Sequence, residues 1–116
     1  MMGSFRLRLW SDPSAEAYRV RIGTVLVSGP SMVPALRSGD CLVVRRGARI
    51  RPGDVVVGRF RSRPDLLVVK RALEPRDGGW LLGSDNPFVA GGPEGVADVE
   101  ARALLRYWPL PPRRVS

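Results

Sequence analysis

Apolar and polar residues alternate along this chain in short runs separated by turns. From Arg19 the pattern is that of a strand: Val20, Ile22, Thr24, Val25, Leu26 and Val27 are β-branched or bulky, and the run ends at Ser28-Gly29-Pro30-Ser31. Gly39-Asp40 reads as a turn that feeds a second strand, Cys41-Leu42-Val43-Val44-Arg45-Arg46. Pro52-Gly53-Asp54 repeats the turn chemistry ahead of Val55-Val56-Val57-Gly58-Arg59-Phe60. After the Ser62–Asp65 loop, Leu66, Val68, Lys70 and Ala72 share one face of a strand, and Leu67, Val69, Arg71 and Leu73 share the other. Both faces are apolar around Lys70, as for a strand buried on two sides. Asp77-Gly78-Gly79 turns into Trp80-Leu81-Leu82, and Val96 to Trp108 closes the domain as a strand.

The remaining stretches are less regular. Met32 to Gly39 has Pro34 near its start and Gly39 at its end, which suits one or two helical turns. Ser31 then falls at a helix N-terminus, where free N–H groups favour negative charge. Ser84 to Gly95 is rich in Gly and Pro and reads as loop; Pro109 to Ser116 reads as a loose tail. Near the N-terminus, Phe5-Arg6-Leu7-Arg8-Leu9 alternates like a short edge strand. Ser11-Asp12-Pro13-Ser14 suits a turn and equally suits the cap of a short helix through Glu16 to Tyr18. No internal repeat is visible. The pattern predicts a mostly β domain of short strands.

Composition narrows this picture. At 116 residues the chain makes one domain, residues 1–116, with its core at about 20–108 and a Pro/Arg-rich tail at 109–116. The 13 Gly and 11 Pro agree with many turns. A net charge of +8 raises nucleic acid as a partner, but the arginines are scattered, and the charge reads as a solvated surface with no specific nucleic-acid partner. The single cysteine, Cys41, cannot form an internal disulfide, which fits a reducing, cytoplasmic setting. Arg6 and Arg8 interrupt the apolar residues of Met1 to Trp10, so no signal-peptide core is expected. No apolar run approaches a membrane span, which leaves only a peripheral membrane contact open.

The chain contains no histidine. That removes Ser-His-Asp and Cys-His catalysis and, with one cysteine, makes a zinc site unexpected; no metal and no cofactor are anticipated. Against eighteen arginines stands a single lysine, Lys70. A lone lysine is ordinarily a solvated surface residue. An amine, unlike a guanidinium, can lose its proton and act as a base, and aliphatic surroundings favour its neutral form. A serine hydroxyl needs such a base before it attacks a carbonyl, and the same ammonium can then protonate the leaving amine.

Four boxes join these residues into a family resemblance. Ser28-Gly29-Pro30-Ser31-Met32-Val33-Pro34-Ala35-Leu36, then Gly39-Asp40, resembles the type I signal peptidase signature G-x-S-M-x-P-T-L-x-x-G-D. Pro52-Gly53-Asp54-Val55-Val56-Val57 resembles the family's next turn and strand, and Val69-Lys70-Arg71 its K-R box. Ser84-Asp85-Asn86 resembles its G-D-N box, with Ser84 in place of glycine. The boxes run in order across about residues 24–108. LexA-like self-cleaving repressors share the Ser and Lys boxes more distantly. The resemblance implies a signal peptidase/LexA-like catalytic β-fold with one short helical turn after the nucleophile. It implies Ser31 as nucleophile and Lys70 as general base of a serine endopeptidase. The Ser31 N–H is then the main oxyanion donor, with Ser28 and Met32 at the oxyanion or substrate cleft.

The departures matter as much. In the family an S-x-D-S-R segment after G-D-N often supplies a hydroxyl that orients the lysine. Here Pro87-Phe88-Val89-Ala90-Gly91-Gly92-Pro93-Glu94-Gly95 has no such serine, and Ser84 is a candidate for the task. Short size, Asp85-Asn86-Pro87 and Tyr107-Trp108-Pro109 resemble nickel-type superoxide dismutase maturation proteases, which remove an N-terminal extension from the dismutase precursor. That makes the precursor the candidate protein partner. The rivals are an unanchored signal peptidase-like protease with another substrate, a LexA-like self-cleaving protein, and an inactive basic binding module. Other residues carry structural expectations: Asp40 and Asp54 as turn residues, Cys41 as a core residue, Arg71 as structural, and Trp10, Trp80 and Trp108 as packing residues.

Overall fold

The computed structural model describes residues 7–9, 21–88 and 92–115. The possible turn or helix at 11–18, and Trp10, lie outside them. Eight strands form in chain order: β1 (Leu7–Leu9), β2 (Ile22–Leu26), β3 (Cys41–Arg46), β4 (Val55–Phe60), β5 (Val68–Arg76), β6 (Gly79–Ser84), β7 (Gly92–Trp108) and β8 (Arg113–Arg114). All pairings are antiparallel, in the order β1-β2-β3-β7-β4-β5-β6, with β6 also returning to β7. The fold is mostly β, as the alternation and turns predict.

The 17-residue strand β7 organises the sheet. Its first part pairs with β6 and its last part with β3, both along one edge; along the other it pairs with β4 and then β8. Strands β4, β5, β6 and β7 therefore close into a ring, and β1, β2 and β3 extend from the far half of β7 as an open sheet. The close approach of β4 to β7 requires glycine at position 58. A Cβ at Gly58 would lie 2.7 Å from the Asp98 carbonyl oxygen, and the register shifts there between Val57 and Gly58.

Strand alternation sends the core in two directions. Val55, Val57 and Val69 join Val25, Val27, Met32, Leu36, Leu42 and Val44 in one cluster. Val56, Val68 and Ala72 join Phe60, Leu82 and Ala97 in the other. Strands β4 and β5 are thus buried on both faces, which is why they read as near-continuous Val and Leu. Small residues Ala97, Ala101 and Ala103 keep β7 thin between its neighbours.

Both Gly-Asp turns use one device. Gly39 and Gly53 have φ of 96° and 95°, which a side chain disfavours. The following aspartate reaches back three residues: Arg37 N–H donates to Asp40 Oδ2 and Arg51 N–H to Asp54 Oδ2, each at 2.9 Å. Asp40 and Asp54 are turn residues, as expected.

Several expectations change. The segment after Ser31 forms successive turns, and no helix is present among the described residues. Leu36 N–H reaches Met32 O at 2.8 Å, one helical bond, but Pro34 has no N–H to extend the ladder and Gly39 ends it within a turn. The Gly/Pro-rich stretch is loop only in part, because β6 runs through Ser84 and β7 already begins at Gly92. The tail folds back: β8 pairs Arg113 and Arg114 with Arg106 and Leu105, and Val115 packs on the first cluster. Trp80 packs against the second cluster, whereas Trp108 is 56% exposed, because its place at the end of β7 lies past the core. Cys41 is half-buried.

Candidate active site

Ser31 leaves the sheet at the end of β2. Val27 N–H donates to Asp40 O and Gly39 N–H to Val27 O, both at 2.8 Å, closing the base of a loop that contains the serine. Inside it, Val33 N–H donates to Pro30 O at 3.1 Å. Gly29 N–H donates to Ser38 Oγ at 3.3 Å. Met32 and Leu36 anchor the loop in the first core cluster, and Ser31 itself is 3% exposed. No acceptor for the Ser31 N–H is found among the described residues. Ser28, three positions earlier, is half-buried. Met32, read from the sequence as a cleft residue, lies in the core at 1% exposure. The turn after Ser31 directs its side chain inward.

Lys70 is the largest fully buried side chain, at 0% exposure. It shares the face of β5 with Val68 and Ala72, and Val56 of β4 stands opposite it in register. Its Nζ donates to Ser84 Oγ at 2.7 Å and lies 3.0 Å from Glu94 Oε2. Ser84 Oγ donates in turn to Glu94 Oε2. Amine, hydroxyl and carboxylate form a triangle supplied by β5, β6 and β7. A buried cation requires such partners, since an unpaired charge would be costly to desolvate.

Ser84-Asp85-Asn86 tie the two halves of the site together, one residue at a time. Ser84 holds Lys70. Asp85 receives Arg71 through two bonds, Nε to Oδ1 at 3.1 Å and Nη2 to Oδ2 at 2.5 Å. Arg71 Nη1 also donates to Gly53 O at 2.9 Å, so this arginine is structural, as expected. Asn86 reaches the serine loop: its N–H donates to Ser31 O and its Nδ2 to Pro30 O, both at 2.9 Å. Its Oδ1 accepts from Phe88 N–H at 2.9 Å, which fixes the amide's orientation. Ser31 and Lys70 are thus both fastened to one tripeptide. No hydrogen bond joins Ser31 Oγ to Lys70 Nζ among the described residues.

Of the residues picked from the sequence, Ser31, Lys70 and Ser84 converge at this end of β6, and Met32 does not face it. Sequence reasoning missed Glu94 and Asn86 as parts of the site. Asn86 stood in the G-D-N-like box without an assigned task. Glu94 gave no periodic signal; its one mark was to be the only acidic residue between Asn86 and Ala97. No group of three or more His, Cys, Asp and Glu residues that could hold a metal is found among the described residues. No helix of the described residues is long and apolar enough to cross a membrane.

Comparison with known proteins gives two kinds of match. Residues 16–98 match the Peptidase S24-like family. The mitochondrial ATP-independent inner membrane protease subunit 1a of Arabidopsis thaliana is 31% identical over 124 residues, covering 78% of this chain and 73% of that protein. The mitochondrial inner membrane protease subunit 1 of Xenopus tropicalis is 29% identical over 119 residues, covering 77% and 71%. No solved structure matches significantly.

Proposed function

This chain belongs to the Peptidase S24-like family, and on that premise we propose that it is a serine endopeptidase working through Ser31 and Lys70. The observation that carries this reading is the Ser84-Asp85-Asn86 tripeptide, which bonds the Lys70 amine at one end and the Ser31 loop at the other. In the proposed reaction Ser31 Oγ attacks the scissile carbonyl carbon while Lys70, as the neutral amine, takes the hydroxyl proton. The Ser31 N–H donates to the oxyanion. The Lys70 ammonium then protonates the departing amine, leaving an acyl-serine. Water, deprotonated by Lys70, hydrolyses the ester and restores the serine.

The substrate enters as an extended peptide. Val68 and Val69 of β5 pair with β4 on one edge, and the β6 register begins only at Arg71. In this reading a peptide adds as a strand on that side of β5, where Val68 and Lys70 are themselves buried. The substrate we propose is a precursor protein that loses an N-terminal extension. Among precursors, nickel-type superoxide dismutase is the candidate, on the strength of Asp85-Asn86-Pro87 and Tyr107-Trp108-Pro109. A cytoplasmic site of action goes with that candidate.

Mixing the protein with a nickel dismutase precursor, and separately with unrelated precursors bearing N-terminal extensions, tests both levels. Trimming that vanishes in Ser31→Ala supports the peptidase; trimming confined to the dismutase supports the substrate. Cleavage that persists in Ser31→Ala, or an active Lys70→Arg variant, would end the proposed mechanism.

A further inference from the structure

The segment that lacks the expected serine instead brings a carboxylate to the lysine. Glu94 lies near the start of β7, its side chain is 14% exposed, and its Oε2 meets both Lys70 Nζ and Ser84 Oγ. Among the described residues it has no other polar partner. Ser84 alone could not aim the amine: a hydroxyl rotates freely, and an ammonium has three donors on a flexible stem. A third group that receives Ser84 Oγ–H fixes the rotor, and the same oxygen fixes the amine. The two contacts come from different strands, so rotation about neither side chain satisfies both.

We infer that Glu94 is the positioning residue for the Lys70 base, acting through a Lys70–Ser84–Glu94 triangle. The inference rests on the assignment of Lys70 as base. It concerns a residue that touches the amine and not the substrate. Other charges around Lys70 do not compete. Val56 of β4 stands opposite it, Ser84 of β6 beside it, and the nucleophile's loop meets the tripeptide through Pro30 and Ser31. Arg71, the next residue on β5, alternates to the other face and is neutralised by Asp85. Glu94 is therefore the ionic partner of the amine among the described residues.

Alanine at this position removes both contacts, whereas glutamine keeps the shape and one acceptor oxygen. In Glu94→Ala kcat should fall by about a hundredfold through misplacement of the amine, with KM within about twofold. Glu94→Gln should recover part of that loss. The single lysine of the chain supplies a second readout, because protein labelled with 15Nζ-lysine gives one side-chain signal. The chemical shift of that signal should move in Glu94→Ala. A parental kcat in Glu94→Ala, or a Lys70 signal at the parental position, overturns the inference. Should Glu94→Ala not fold, Glu94→Asp takes its place: the shorter side chain should lower kcat, and a parental kcat overturns the inference. If the parent itself shows no Ser31-dependent cleavage, the peptidase assignment fails, and the Lys70 signal still decides whether Glu94 positions the lysine.

Discussion

Ser31 and Lys70 are both buried, yet the two halves of the molecule hold them by different means. The open-sheet half carries Ser31 on irregular backbone. Its position comes from bonds within a short stretch, Val27 to Asp40, and from two apolar anchors, Met32 and Leu36. The closed ring carries Lys70 on a regular strand. There the backbone is ordinary, and the special feature is a side chain whose partners sit 14 and 24 positions further on, at Ser84 and Glu94. In the proposed mechanism the nucleophile must present one oxygen and one N–H to a substrate, which turn geometry provides locally. A buried amine must be compensated for its charge, which only non-local side chains can do.

The sharpest way to test that contrast is to remove each residue in turn. Ser31→Ala and Lys70→Ala should each abolish cleavage while the chain stays folded. Their effects on stability should differ. Ser31→Ala removes a small side chain, and its denaturation midpoint should remain near the parental one. Lys70→Ala strands the Glu94 carboxylate and should cost roughly 3–5 kcal/mol in urea unfolding. Equal destabilisation by the two variants would remove the contrast. Lys70→Arg should also be inactive, since a guanidinium does not give up its proton.

Next in size is the link between the halves. Asn86→Ala removes the Pro30 bond and the acceptor of Phe88 N–H while leaving the Lys70 triangle alone. We expect kcat to fall about tenfold to a hundredfold through displacement of the serine. The chemical shift of the Lys70 15Nζ signal should not move. A moved signal would mean that the halves are not held independently.

The paired turns give a smaller comparison. Asp40→Ala and Asp54→Ala each delete one carboxylate–N–H bond of the same geometry, and each should cost about 1 kcal/mol in urea unfolding. Only Asp40 closes the loop that carries Ser31, so only Asp40→Ala should also lower kcat. The smallest effect belongs to the surface. Arg63 and Asp65 approach at 3.9 Å with both side chains largely exposed, and Arg63→Ala should change stability by less than about 0.5 kcal/mol. A larger loss in thermal or urea unfolding would give the arginine-rich surface a structural part that the core does not explain.

Much of the fold was legible because its signals are local. Gly39-Asp40 and Pro52-Gly53-Asp54 announce turns through residues that tolerate positive φ and return a carboxylate to the backbone. The runs from Cys41 to Arg46 and from Val55 to Phe60 coincide with β3 and β4. The illegible parts are those where distant strands decide. The tail at 109–116 lacks any apolar alternation, yet the edge of β7 beyond β4 is unoccupied without it, and two arginines fill that edge as β8. The stretch after Ser31 had a helix's punctuation, but too few residues and too few donors to make one.

The sequence by itself determined a β domain with two Gly-Asp turns, a serine set where its N–H is unpaired by helix or strand, and one lysine in a doubly apolar strand with no histidine as rival. These follow from residue type and period, which act over a few positions. Only the tertiary structure decided what stands beside the amine. Ring closure through β7 sets Glu94 against Ser84 and Lys70, and the end of β6 sets Asn86 against Ser31. No period or spacing encodes those meetings, because they arise where strands far apart in sequence are made neighbours by a shared core.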